Sequence, residues 1–150
     1  MNETATTQEP QAASTLIRPR LLAQAVAFWF ILAVIGVLNG IFRGLVIQQY
    51  VDEYAAHVLS TLATGLPAFA IAMFLYFRTT RNHTARELAV IGGLWMTMTV
   101  AFEFGFGHYI MGHPWSRLLA DYNLFNGRLW ILVPALLLLG PFIFGGYLRR

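Results

Sequence analysis

Apolar residues crowd into four stretches of this 150-residue chain, about 21–42, 55–77, 88–110 and 129–148, and polar positions collect between them. Each stretch has the roughly 20 residues that an α-helix needs to cross a hydrocarbon layer about 30 Å thick. The pattern predicts an all-α fold, a polytopic membrane four-helix bundle over 18–150. Residues 1–17, rich in Thr, Ala and Gln and without periodicity, are expected to be a disordered tail. The first stretch is too long for the core of a signal peptide and is read as uncleaved.

The segment from Gly112 to Gly127 is less apolar than a span. His113, Pro114 and Trp115 predict a helix start with proline at the first position. Trp115, Leu118, Leu119 and Tyr122 then recur at i, i+3, i+4 and i+7. The expectation is a short amphipathic helix between the third and fourth spans, lying at the interface, with Trp115 and Tyr122 as aromatic anchors.

Composition sharpens the class. Hydrophobic residues make up 57% of the chain and charged residues 11%, against about 25% charged in soluble domains. The ten basic residues are all arginine and sit at the ends of apolar runs, so the net charge of +3 marks topology and not a nucleic-acid partner. Arg18, Arg20, Arg78, Arg81, Arg86, Arg149 and Arg150 fall on one side. Arg43, Arg117 and Arg128 fall on the other, which predicts cytoplasmic termini in a multi-pass cell-membrane protein. Thr84 followed by Glu87 forms a capping-box pattern at the start of the third span.

Small residues at four-residue spacing predict where helices approach closely, since the hydrophobic effect does not drive helices together in lipid. The first span offers Gly36, Gly40 and Gly44, the second Ala56, Ser60, Thr64, Ala68 and Ala72, and the third Gly93, Thr97, Ala101 and Gly105. Gly92, Thr99 and Gly107 share another face of the third span with Glu103. The third helix is expected to be the most buried.

Glu103 carries the sharpest chemical signal. It lies 15 residues after Leu88, or ~22 Å along a helix rising ~1.5 Å per residue, in the outer half of the layer. Arg43, His57, His108 and Arg128 reach a similar depth, Asn39 lies one turn below Arg43, and Asp121 sits in the segment above. A carboxylate in hydrocarbon requires a partner, so the expectation is an ion pair between Glu103 and Arg43 or Arg128.

Other chemistries have weaker footing. With no cysteine, disulfides, thiolate metal sites and Fe–S clusters are excluded. His57 and His108 have the minimum disposition for bis-histidine haem ligation, a remote alternative with no local signature. Glu103, His108, His113 and Asp121 could ligate a metal, but their spacing matches no compact motif. Ser60 and Ser116 lack a nucleophile context, and the glycines of FGFGH follow a helix and not a strand. No cofactor is assigned, and the reading leans away from an enzyme.

The run EFGFGHYIMGHPWSRLLADYNLFNGRLW, from Glu103 to Trp130, resembles a signature of small four-helix bacterial membrane proteins of unknown activity, as does NGIFR from Asn39 to Arg43. The resemblance implies a fold and no activity, and the expected location is a bacterial inner membrane. The expected function is binding or transport of a small solute, ion or proton through the polar cluster, alone or as a homo-oligomer. The alternative is an accessory or assembly subunit that docks a membrane partner through its glycine ridges.

Overall fold

The computed structural model describes residues 17–148, so the predicted tail, apart from Ile17, and the two terminal arginines lie outside the described residues. All regular structure among these residues is helical. α1 (Pro19–Leu45) begins with proline in its first turn, where a missing N–H costs nothing, and is followed by a short 3₁₀ turn. α2 (Glu53–Leu59) is capped by Asp52, whose side chain accepts the Ala55 N–H at 2.9 Å. It runs through a wider π-type turn, Ser60–Gly65, into α3 (Leu66–Thr79). Pro67 lies just beyond that turn, and its missing N–H is one cause of such irregularity.

α4 (Ala85–Gly105) opens with the predicted capping box, in which the Thr84 and Glu87 side chains each accept the other's backbone N–H, and continues through a π-type turn to Ile110. The helices Pro19–Gln49, Glu53–Thr79 and Ala85–Ile110 are long and apolar enough to cross a membrane. The fourth apolar helix is shorter than expected. α6 (Leu132–Gly140), extended by a π-type turn to Gly145, starts late because Gly127 turns the chain with φ +73° and residues through Trp130 complete the bend.

The connector also departs from expectation. α5 spans only Trp115–Ala120, with Pro114 as its cap, so Tyr122 lies past its end and takes no part in an amphipathic face.

The core occupies the lower end of the molecule, near the start of α1. Leu21, Ala25, Trp29 and Leu32 of α1 pack with Phe69, Met73 and Phe77 of α3, Leu88, Ile91 and Trp95 of α4, and Val133 and Leu137 of α6. Burying each large apolar side chain contributes about 1.5–3 kcal/mol. Both central indoles also satisfy their N–H groups: Trp95 donates to the Ala25 carbonyl at 2.8 Å and Trp29 to the Thr99 hydroxyl at 2.9 Å. At the base, Arg18 donates to both carboxylate oxygens of Glu87, at 2.7 and 3.1 Å, joining the starts of α1 and α4.

The close helix approach falls on glycines other than the predicted ones. A Cβ on Gly92 would stand 2.3 Å from the Leu138 carbonyl oxygen, so α4 and α6 meet backbone to backbone there. Gly140 faces Met73, and Gly145 faces Leu88 and Phe77. Gly36 makes ordinary contact with Phe69 and Gly44 only with its own Gln48, while Gly40, Gly93 and Gly105 have open space where a side chain would go, and Ala101 is exposed. Gly40, Gly93 and Gly105 therefore receive no helix of this chain among the described residues, whereas Gly36 meets α3, and in the second ridge Ala56 and Ser60 are buried and Thr64 bonds to Asn39 of α1. Nor is the third span the most buried, since the second is more so.

Candidate functional site

Above the core the helices part around a cleft of about 530 Å³. Its lower wall is apolar, with Trp29, Leu32, Phe69, Phe102 and Val133. Its upper wall carries Asn39 and Arg43 from α1, His57 from α2, Thr99 and Glu103 from α4, and Asp121, Tyr122 and Trp130 from the connector. A depression of similar size at the lower end, against Arg18, Arg20 and Arg81, is bounded mainly by exposed residues and faces no buried polar group.

The cleft brings together most of the predicted polar residues but pairs them differently. Glu103 has no arginine partner among the described residues. Its Oε2 accepts a hydrogen bond from the Tyr122 hydroxyl, while its Oε1 is buried without a hydrogen bond of good geometry. The Trp130 indole lies beside both groups. Burial, then the neighbouring Glu103 carboxyl, raises the Tyr122 phenol well above its usual range, so it stays protonated and acts as the donor.

Arg43 pairs instead with His57, its Nη1 standing 3.1 Å from Nδ1. A guanidinium only donates, so Nδ1 is the acceptor and the neutral ring carries its proton on Nε2. That Nε2–H is buried and has no acceptor among the described residues, on a residue only 5% exposed. Arg128 lies 3.6 Å from Asp121, in the turn before α6 and not within it. The ion pair expected between Glu103 and Arg43 or Arg128 does not form, and the contact Arg128 makes lies within the connector. The reason is reach: Arg128 and Asp121 are brought together by the same loop, whereas Glu103 meets the first polar tip folded over it, that of Tyr122.

Asn39 is nearly buried and accepts from the Thr64 hydroxyl, at the level where Gly65 leaves room for its amide. His108 is not among the residues lining the cleft. Its ring stacks on Trp115 with centroids 4.0 Å apart, and its Nδ1 lies 2.9 Å from the His113 carbonyl oxygen. The two histidines considered for haem thus do not face a common cavity. Among the described residues no group of three His, Asp or Glu side chains is placed to hold a metal.

Sequence reasoning missed Tyr122 as the partner of Glu103 and Trp130 as its neighbour. The one available signal for Tyr122 was its hydroxyl, which the i+7 spacing from Trp115 assigned to the wrong role.

The connector roofs the cleft. Leu118 of α5 sits over Gly107, where a Cβ would come within 2.7 Å of it, and Tyr54 donates to the Gly127 carbonyl at 3.3 Å. Gly127 is required there, both for its positive φ and because a Cβ would stand 2.3 Å from the Tyr54 hydroxyl. Comparison with family models, curated proteins and solved structures finds no match to this chain.

Proposed function

We propose that this chain is a multi-pass membrane protein with cytoplasmic termini that binds a small molecule in the cleft of its outer half. Three long apolar helices, the shorter fourth and the arginine asymmetry support the membrane placement and its orientation. The single observation that carries the binding role is that two residues lining the cleft, His57 and Glu103, each hold a buried polar atom, Nε2 and Oε1, without a hydrogen bond of good geometry. Leaving such a group unpaired costs about 1–3 kcal/mol, and a bound ligand would recover it. The volume falls within the roughly 300–1,000 Å³ typical of small-molecule sites.

Binding is favoured over passage. Below the cleft the core of Leu32, Phe69, Met73, Trp95 and Leu137 is apolar and closely packed, which gives an ion or proton no polar route to the other end. Native mass spectrometry from mild detergent tests the reading. The wild type is expected to carry a small-molecule adduct that His57→Phe loses. A ligand-free wild type that no small polar or amphiphilic compound stabilises would refute it.

The second reading, an accessory subunit, draws support from the vacant edge of α4, where Gly93 and Gly105 have open space in place of side-chain contacts. A heteromeric native mass lost in Gly93→Leu would favour it.

A further inference from the structure

Resting on the proposed binding role, we infer that the ligand is an uncharged membrane amphiphile, a single acyl or prenyl chain whose head bears a carbonyl and a hydroxyl group, which reaches the cleft sideways from the bilayer between α1 and α4.

The path is set by where these two helices touch. They are joined at the lower end by the Trp95–Ala25 and Trp29–Thr99 hydrogen bonds and by the edge contact of Trp29 with Phe102. Beyond that level α1 presents Gly36 and Gly40 to the cleft, and nothing lies within 4 Å of the position a Gly40 side chain would take. Val37 and Ile41 of α1 and Met111 beyond α4 line the same opening and are exposed. From above, Leu118 on Gly107 and Tyr122 on Glu103 cover part of the cleft. The open face at Gly40 is thus the floor of a lateral groove, flanked by Val37 and Ile41.

The polar wall selects the head. His57 Nε2–H is a donor that awaits an acceptor, which a carbonyl oxygen supplies. The Glu103 carboxylate lies beside the Trp130 indole, yet its Oε1 has no hydrogen bond of good geometry, and a hydroxyl supplies one. Charge decides between heads. By formal charge the wall sums to zero, Arg43 against Glu103 and Arg128 against Asp121, with only the second pair in contact. An uncharged head leaves that balance intact, whereas an anion or a cation would bring an uncompensated charge into a low-dielectric site.

Three decyl-chain probes separate these possibilities in phosphatidylcholine nanodiscs: monodecanoylglycerol, decanoate and decyltrimethylammonium. Monodecanoylglycerol is expected to raise the unfolding temperature saturably, and the two charged probes to leave it unchanged. Gly40→Leu fills the groove from a position with free space, and should fold and lose the shift. Gly93→Leu, an equally open site away from the cleft, should retain it. Equal stabilisation by a charged probe, or an undiminished response in Gly40→Leu, overturns the inference. Glycerol, which has no chain, separates the two readings: a shift with glycerol alone that survives Gly40→Leu rejects the amphiphile and keeps a polar-solute site. If none of the four compounds shifts the transition, the amphiphile inference fails.

Discussion

Arg43 Nη1 and His57 Nδ1 stand 3.1 Å apart, and this contact fixes the imidazole tautomer with its proton on Nε2. Nitrogen-15 NMR of the ring is therefore expected to show an unprotonated Nδ1 and a protonated Nε2. Arg43→Gln should mix the two tautomers. It should also lower stability by about 1.5–3 kcal/mol, as expected for a lost hydrogen bond to a charged group. An Nδ1–H tautomer in the wild type would contradict the assignment.

Two adjacent glycines of α4 should respond oppositely to the same change. Gly92→Ala pushes a methyl against the Leu138 carbonyl, forcing α4 and α6 apart, and is expected to cost ~1–3 kcal/mol or more. Gly93→Ala meets nothing within 4 Å and should leave stability unchanged or raise it by up to about 1 kcal/mol through helix propensity. Thermal unfolding of the two variants in one detergent checks the ordering.

The contrast between these neighbours separates features legible in the sequence from those hidden in it. Hydropathy placed the three long helices within a few residues, and the Thr84–Glu87 spacing predicted a capping box that forms, because both depend on local chain geometry. Faces were harder to read, since they depend on an unbroken period. The ridge Ala56, Ser60, Thr64, Ala68 and Ala72 assumes a regular α-helical turn throughout. The π-type turn at Ser60–Gly65 rotates the helix beyond it, and burial continues at Thr61, Gly65, Phe69, Met73 and Phe77, one residue later. The pairing of Glu103 was hidden for another reason: the connector's path, set by Gly127 and the short α5, decides which side chain lies above it.

At the lower end, Glu87 serves both the α4 cap and Arg18, and is only 3% exposed. Thr84→Ala should cost about 1 kcal/mol, the usual loss for a cap. Glu87→Ala is expected to cost more, since it removes the cap's second arm and leaves Arg18 without its carboxylate. The unfolding temperatures should fall in that order, and a smaller effect at Glu87 would reject the dual role.

The most direct measurement is a pair of double-mutant cycles on Glu103, read by thermal unfolding. Glu103→Leu combined with Tyr122→Phe should show a coupling of about 0.5–3 kcal/mol, because each change removes the one hydrogen bond the two side chains share. Glu103→Gln combined with Arg43→Gln should be additive. Strong coupling to Arg43 with none to Tyr122 would restore the trans-helix ion pair and contradict this arrangement of the cleft.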